Sequence, residues 1–389
     1  MNKQIPYGKQ FISKEDIYAV VSTLQSDYLT QGPKIEEFED VFAKYIGCKY
    51  AIAVSNGTAA LHLAALALEV NSHSKVLTTP ITFAASSNCI LYCGGEIDFI
   101  DIDFETLLID FDLLEKKLSS SPAGTYQGIV AVDFAGMPLD LEKLRFIADK
   151  YDLWIIEDAC HAPGGYFVDT AREKQNCGNG NFADVSIFSF HPVKHIATGE
   201  GGMITTNNKT LYEKIIKLRT HGITKDPELL FNNHGGWYYE MQELGYNYRL
   251  TDFQAALGIS QITYADERLI KRKKIALLYD EAFKNLPVIT FPSKLKASHA
   301  YHLYIIHSEY RKELYDFLRS KNILTQVHYI PVHLHPYYAK FGFTKGMYPV
   351  AEKYYDGCLS IPMFPNISEE ELNFVIDSIK SFFEQIKNI

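Results

Sequence analysis

Short apolar runs alternate with helical patterns through the first two thirds of the chain. The apolar runs are too short for buried helices and predict strands at residues 50–54, 76–79, 97–100, 129–133, 154–157, 185–190 and 202–205. Between many of them, apolar residues recur every three to four positions, which predicts helices at residues 35–45, 59–68 and 139–151. This alternation is typical of an α/β domain whose mostly parallel sheet is covered on both faces.

The pattern changes after about residue 250. A long charged stretch predicts one helix at residues 251–283, followed by a strand around 302–306 and a helix at 311–321. Ser368 and the two glutamates after it predict the start of a last helix, at residues 368–386. Residues 328–349 have the composition of a long ordered loop. We therefore predict a large α/β domain at residues 1–250 and a smaller C-terminal α+β domain at residues 251–389.

Length and charge narrow the classes of function. A chain of 389 residues is too long for one hydrophobic core and suits two domains. The net charge of −9 argues against a nucleic-acid partner, although backbone N–H groups can still bind a phosphorylated ligand. The N-terminus has no apolar signal core and no run reaches membrane-spanning length, so we expect a cytoplasmic protein without a membrane partner.

The six cysteines indicate neither a disulfide scaffold nor a metal site. They are scattered and none forms a Cys-x-x-Cys pair. Cys89 and Cys93 are four residues apart in a predicted helix and could share a face, and packing is their expected role. We expect no metal.

Lys194 lies in the most informative frame of the sequence. It ends Ser-Phe-His-Pro-Val-Lys directly after a predicted strand, and Gly199, Gly201 and Gly202 follow it. A lysine on such a turn can form a Schiff base with an aldehyde cofactor, of which pyridoxal 5'-phosphate is the common one. That cofactor usually has a carboxylate facing its ring nitrogen, and Asp158 ends a predicted buried strand 36 residues earlier. The alternatives are a solvated lysine and an aspartate that caps a helix, and the pair favours the cofactor.

Four further positions fit such a site, each with a plainer alternative. Thr58 lies between a strand and a helix, where free N–H groups favour a phosphate, although Asn56 or Thr58 could simply cap the helix. Ser189 could bind the phosphate or be a buried structural serine. Phe83 could stack on the cofactor ring or belong to the core. His161 could reach the ring or be structural.

These motifs together resemble the DegT/DnrJ/StrS aminotransferases, which are pyridoxal phosphate enzymes of fold type I that act on nucleotide-linked keto sugars. The resemblance spans nearly the whole chain. It rests on Leu-Thr-Gln-Gly-Pro (29–33), Ser-Asn-Gly-Thr-Ala-Ala-Leu (55–61), Pro-Ile-Thr-Phe (80–83), Glu-Asp-Ala-Cys-His-Ala (157–162), Ser-Phe-His-Pro-Val-Lys (189–194), Gly-Glu-Gly-Gly (199–202), His-Gly-Ile (221–223) and Gly-Tyr-Asn-Tyr-Arg-Leu-Thr-Asp-Phe-Gln-Ala-Ala (245–256).

The resemblance implies a set of cofactor contacts. Lys194 would hold pyridoxal phosphate and move protons, Asp158 would face the ring nitrogen, and His161 would lie beside the ring as a third catalytic residue. The phosphate contacts would be Thr58, Ala59 and Ser189, and Phe83 would stack on the ring.

The resemblance also implies a homodimer with shared active sites. Asn247 would reach the cofactor phosphate of the neighbouring subunit. Arg249, His328 and Tyr329 would contact the sugar or its diphosphate.

Within the family, Thr-Thr-Pro-Ile-Thr-Phe-Ala-Ala-Ser-Ser-Asn and Ile-Leu-Thr-Gln-Val-His-Tyr-Ile-Pro-Val resemble the pseudaminic acid branch. This implies transfer of the amino group of L-glutamate to C4 of a UDP-linked 4-keto-6-deoxy-N-acetyl amino sugar. One alternative is a different keto sugar, linked to UDP, GDP or dTDP. Another is a pyridoxal phosphate protein that regulates without catalysis, although neither a DNA-binding motif nor a basic stripe favours it.

Overall fold

The computed structural model describes residues 4–291 and 295–387 of the chain. Its helices are α1 (Lys14–Leu24), α2 (Pro33–Ile46), α3 (Gly57–Ala67), α4 (Ala85–Tyr92), α5 (Phe111–Ser120), α6 (Leu141–Lys150), α7 (Lys209–Arg219), α8 (Asp252–Thr263), α9 (Ala265–Phe283), α10 (Arg311–Ser320), α11 (Pro336–Ala339), α12 (Pro349–Gly357) and α13 (Glu369–Lys387). Its strands are β1 (Tyr50–Val54), β2 (Lys75–Thr78), β3 (Glu96–Phe99), β4 (Gly128–Val132), β5 (Trp154–Asp158), β6 (Tyr166–Val168), β7 (Lys174–Asn176), β8 (Val185–Ser189), β9 (Gly202–Thr206), β10 (Ile223–Thr224), β11 (Glu240–Met241), β12 (Ile289–Phe291), β13 (Tyr304–His307) and β14 (Cys358–Ile361).

Seven strands form the large sheet, in the order β1-β9-β8-β5-β4-β2-β3. The strands from β8 through β5, β4 and β2 to β3 run parallel, and β9 is antiparallel to both β8 and β1. The prediction of an α/β fold with a mostly parallel sheet is therefore confirmed. Every predicted strand of this sheet is present, within one residue at each end.

The C-terminal part is built on a second, three-stranded antiparallel sheet, β12-β13-β14. Apolar residues of α9, α10 and α13 pack with it in a buried cluster that includes Tyr279, Leu318 and Ile379. Another cluster surrounds the large sheet and extends to Ile305 and Tyr354 of the C-terminal part. The division into domains at residues 250 and 251 stays a prediction, and its outer limits, residues 1 and 389, lie outside the described residues.

Two predictions about the C-terminal part were wrong. The single helix at 251–283 is two helices, α8 and α9, separated at Tyr264, whose φ of −110° and ψ of 9° leave the helical conformation. Residues 328–349 are only partly a loop, because they contain a 3-10 turn at Val332–Leu334 and the short helix α11. The last helix begins as predicted, since the Ser368 hydroxyl accepts from the N–H of Glu371 at 3.1 Å.

No helix in the described residues has both the length and the apolar character that a bilayer crossing needs.

Candidate active site

A cavity of about 1080 Å³ opens at the carboxyl ends of β5 and β8, where ligands bind in parallel α/β sheets. We call it the main cavity. The predicted site residues that line it are Thr58, Ala59, Phe83, Asp158, His161, Ser189, Lys194, His328 and Tyr329. Residues far apart in the sequence thus meet at one edge of the sheet.

Lys194 lies on the connection between β8 and β9. The connection is closed at its base, because Ser189 and Gly202 pair across the two strands. Within it, the backbone N–H of Lys194 donates to the carbonyl of His191 at 2.8 Å. Burial lowers the pKa of the Lys194 amine below its ordinary value. The turn therefore delivers an amine that loses its proton more readily than a surface lysine.

Asp158 ends β5 and accepts a hydrogen bond from one hydroxyl of α4. The Ser86 hydroxyl donates to Asp158 Oδ2 at 2.6 Å, and the Thr82 hydroxyl lies 2.8 Å from Ser86 Oγ. The N–H of Cys160 donates to Oδ1 at 3.2 Å. These bonds orient the carboxylate before any ligand arrives. Sequence analysis missed Ser86, although two hydroxyl residues four positions apart beside a buried helix were a signal.

The start of α3 presents N–H groups to the main cavity. The Asn56 side chain caps the helix and accepts from the Ala59 N–H at 2.8 Å. The N–H of Ala59 is therefore taken up by the helix cap that the sequence offered as the alternative to a phosphate site. The N–H groups of Gly57 and Thr58 find no acceptor in the described chain. The Ser189 hydroxyl lies on the opposite wall, close to Gly57. Two N–H groups and the hydroxyls of Thr58 and Ser189 therefore remain for an anion.

Two glycines allow the close approach that forms this corner. A Cβ on Gly57 would lie 2.9 Å from Ser189 Cβ. A Cβ on Gly202 would lie 2.6 Å from the backbone carbonyl carbon and oxygen of Asn56. Side chains at either position would push α3 away from β8 and β9.

His161 is buried and faces the interior of the main cavity. The Ala135 N–H donates to its Nδ1 at 3.2 Å, and its Nε2 lies 3.5 Å from the Tyr329 hydroxyl. Burial lowers the pKa of His161 well below its ordinary value, so the ring is neutral. Because Nδ1 accepts, the proton is on Nε2 and available as a donor. The ring of His302, which sequence analysis did not single out, lies 4.3 Å from that of His161.

Phe83 and Tyr329 present aromatic surface to the main cavity. Phe83 is 59% exposed, so it is not a core phenylalanine, and its ring centre lies 6.0 Å from that of Tyr329. His328 contacts Ser360 Oγ through Nδ1 at 2.8 Å, and its carbonyl accepts from the buried Tyr354 hydroxyl. Burial lowers the pKa of His328 to about 3, so this ring is neutral as well.

Asn247 and Arg249 do not line the main cavity of their own chain, but Tyr248 between them does. The carbonyl of Tyr248 accepts from the N–H of Ser55 at 2.8 Å, which joins the segment to the loop before α3. Asn247 is exposed. The roles predicted for Asn247 and Arg249 stay predictions.

Glu157 precedes Asp158 on β5 and lies on the other face of the strand. Its carboxylate accepts from the Gly178 N–H at 2.9 and 3.0 Å and from the Ser186 hydroxyl at 2.6 Å. The residue is 1% exposed and does not line the main cavity. This environment is structural.

Asp133 lies beside Glu157 and is also buried. Its Oδ1 accepts from the Leu139 N–H at 2.8 Å, and the Glu157 carboxylate and the Cys177 thiol lie beside its carboxyl group. Burial and the Glu157 charge raise the pKa of Asp133 well above its ordinary value, so we assign it a proton shared with Glu157. Among the described residues, Asp133, Glu157 and Cys177 form the one group with ligand atoms within 4.8 Å of each other, as a metal would require.

Comparison with known proteins gives one consistent result. Residues 10–380 match the model of the DegT/DnrJ/EryC1/StrS aminotransferase family. The chain is 38% identical over 391 residues to the UDP-4-amino-4,6-dideoxy-N-acetyl-beta-L-altrosamine transaminase of Campylobacter jejuni, covering 98% of each protein.

Solved structures agree with this match. Helicobacter pylori PseC, described as an aminotransferase involved in the biosynthesis of pseudoaminic acid, superposes with a TM-score of 0.88 at 31% identity, over 98% of this chain and 100% of that one. The PLP form of the sugar aminotransferase Spr1654 from Streptococcus pneumoniae gives a TM-score of 0.88 at 28% identity, over 99% and 100%.

Proposed function

This chain belongs to the DegT/DnrJ/EryC1/StrS aminotransferase family, and from that premise we propose that it transfers the amino group of L-glutamate to C4 of a UDP-linked 4-keto-6-deoxy-N-acetyl amino sugar. The keto sugar we favour is UDP-2-acetamido-2,6-dideoxy-β-L-arabino-hex-4-ulose, in pseudaminic acid biosynthesis. The names of the Campylobacter and Helicobacter relatives support this choice. The observation that carries the proposal is the meeting of Lys194 and Asp158 in one cavity at the sheet edge.

The residues of the main cavity fit pyridoxal 5'-phosphate, the cofactor that we assign to this chain. An amine of lowered pKa, a fixed carboxylate and a group of unpaired N–H and hydroxyl donors match its aldehyde, ring nitrogen and phosphate. The close packing at Gly57 and Gly202 holds the start of α3 against β8 and β9, which brings the Ser189 hydroxyl close to the unpaired N–H groups. When bound, the cofactor supplies an electron-accepting ring that lets an amino group move between two carbonyl carbons.

Each catalytic residue then has a distinct task. Lys194, with its lowered pKa, acts as nucleophile and as the base that moves protons at the reacting carbon. Asp158, oriented by Ser86, would hold a proton on the ring nitrogen. His161 donates from Nε2 towards oxygen atoms in the cavity. Phe83 would lie against the ring and exclude water.

We propose contacts around this centre that need a second subunit. Exposed apolar side chains on α1 and on the segment before residue 245 favour a homodimer, among them Tyr18, Phe231 and Trp237. In that dimer Asn247 contacts the cofactor phosphate of the neighbouring subunit. Arg249, His328 and Tyr329 bind the sugar or its diphosphate.

The test follows the two half-reactions separately. Protein loaded with pyridoxal phosphate is mixed with L-glutamate alone, and the visible absorption and 2-oxoglutarate are measured. We expect the yellow band to bleach with about one 2-oxoglutarate per subunit, and the favoured keto sugar to restore it while yielding an amino sugar. A Lys194→Ala variant should bind the cofactor without turnover, because the amine proposed to move the proton is removed. Sedimentation of the same preparation reports the dimer.

Two results would overturn the proposal at different levels. Amine formation only with a GDP- or dTDP-linked keto sugar would move the substrate and leave the chemistry in place. Failure to exchange amino groups with any donor would support the non-catalytic alternative.

A further inference from the structure

A segment of the C-terminal part, residues 300–303 directly before β13, holds the loop that contacts His161. The Ala300 N–H donates to the Gly136 carbonyl of this loop at 2.8 Å. A second hydrogen bond, of 3.2 Å, runs from the last N–H of the segment to the Ala135 carbonyl. The N–H of Ala135 in turn donates to His161 Nδ1 at 3.2 Å. The edge of the His161 ring is therefore fixed by a loop that the C-terminal part holds in place.

The loop and the segment are packed without spare room. A Cβ on Gly136 would lie 2.8 Å from the His161 carbonyl oxygen and 3.0 Å from the Tyr301 nitrogen. Ala135 has a φ of 59°, in the left-handed region that few residues other than glycine adopt. Hydrogen bonds on both its N–H and its carbonyl hold Ala135 in that conformation. The donor to His161 therefore depends on contacts with the segment.

The same segment places the His302 ring against the face of the His161 ring. The two ring centres are 4.3 Å apart and the planes are inclined by 32°. His302 is 5% exposed, and its Nδ1 has no hydrogen-bond partner among the described residues. Burial lowers the pKa of both histidines well below the ordinary value, so two neutral rings meet without charge repulsion. His302 therefore contacts His161 through the faces of the rings.

Arg272 on α9 supports the segment from the C-terminal part. Its guanidinium donates to the carbonyls of Tyr301 and His302 at 3.1 and 3.2 Å, and to that of Met363, beyond β14, at 3.1 Å. Arg272 is 1% exposed, and a buried charge needs such acceptors. Three carbonyls on one cation join the segment to α9 and to the chain after β14. His302 is thus carried by well-connected backbone.

We propose that His302 is a positioning residue for amino transfer, whose ring holds the plane of His161 so that the Nε2–H of His161 keeps one direction in the main cavity. This rests on the proposed function, which gives His161 its donating task. His302 acts through His161, and the C-terminal part thereby orients a donor that follows β5 of the large sheet. The effect of removing His302 should then depend on the presence of His161.

Two substitutions isolate the contact between the ring faces. Leucine and phenylalanine both fill the space of the imidazole, and neither loses a hydrogen bond at Nδ1. We expect His302→Leu to lower kcat about tenfold, because the donor is no longer held in line. The KM values should stay within about twofold of the wild type, and the visible absorption maximum of the bound cofactor should shift. His302→Phe restores a flat ring and should restore both kcat and the absorption maximum.

A double-mutant cycle tests whether His302 acts through His161. In a His161→Ala background, we expect His302→Leu to change neither the absorption maximum nor kcat any further. His333→Leu is the matched control, because His333 is also buried in the C-terminal part but contacts Glu352 at 3.0 Å. This control should lower the melting temperature and leave the absorption maximum unchanged.

The outcomes separate the two proposals. An unchanged absorption maximum and kcat in His302→Leu, a failure of His302→Phe to restore them, or an equal loss with and without His161 would overturn the positioning role. Each of these results can occur while L-glutamate still bleaches the cofactor. Loss of the glutamate reaction in the wild type would instead overturn the proposed function. If His302→Leu does not fold, His302→Met, which also lacks a ring, carries the same expectations.

Discussion

The two faces of β5 carry neighbouring carboxylates in different environments. Asp158 opens on the main cavity and is oriented by the Ser86 hydroxyl. Glu157 is buried on the opposite face, where its carboxylate accepts hydrogen bonds from the Gly178 N–H, the Ser186 hydroxyl and the protonated Asp133. Both are acidic residues on one strand, and consecutive side chains of a strand point to opposite faces. The face, more than the residue type, decides which carboxylate is open to a ligand and which is enclosed by the protein.

The largest expected effect tests the cavity face. Asp158→Asn keeps the shape and removes the charge that holds a proton on the ring nitrogen. We expect kcat/KM for amino transfer to fall roughly 100- to 1000-fold, with the melting temperature near that of the wild type. Steady-state kinetics with L-glutamate and the keto sugar measure this. A loss under about tenfold, with cofactor content unchanged, would place the reacting carboxylate elsewhere.

The intermediate effect tests the buried face. Glu157→Gln leaves the shape but weakens the bonds from Gly178 and Ser186, which are strong because the acceptor is charged. We expect about 1–3 kcal/mol less stability in urea unfolding and a kcat close to that of the wild type. Asp158→Asn is the matched variant with the reverse outcome. A large loss of kcat with unchanged stability would abolish the distinction between the faces.

The smallest effect concerns pH. The pKa of Asp133 is raised in the folded state. The stability that protonated Asp133 contributes is therefore complete below the ordinary carboxyl pKa range, and it is lost as the pH rises through the raised pKa. Asp133→Asn retains a donor to Glu157 without titrating. We therefore expect the free energy of unfolding of the wild type to fall more with rising pH than that of the variant, measured in urea from about pH 4 upward. Parallel pH profiles would show that Asp133 is ionised when folded.

The large sheet was predictable because its strands are short apolar runs between helices and turns. The break at Tyr264 was not, because the helical pattern runs through it without Pro or Gly. A Cβ on Gly258 would lie 2.4 Å from the Phe38 ring, so α8 lies tightly on α2. The next helix, α9, buries Tyr279 in the C-terminal cluster instead. Different packing partners redirect the chain, and local sequence does not encode them.

The candidate site likewise contains residues that the sequence predicts and residues that only the fold brings together. Lys194 and Asp158 each follow a strand, and strand ends meet at one sheet edge whatever the details of packing. Ser86 binds Asp158 across 72 positions of sequence, and that contact requires the fold. His302 lies beside His161, and the Arg272 guanidinium of α9 donates to the His302 carbonyl at 3.2 Å. Motifs predicted Lys194 and Asp158, which line one cavity, and tertiary packing supplied the residues around them.

The close packing at Gly57 and Gly202 also has a consequence for protein engineering. A mutagenesis library aimed at new keto sugars should leave both glycines fixed, because every other side chain would meet Ser189 or the Asn56 backbone within 3 Å. The exposed ring of Tyr92 meets no such limit, since it borders the main cavity. Changes to the cavity can therefore be made at Tyr92 while the corner formed by Gly57 and Gly202 is kept unchanged.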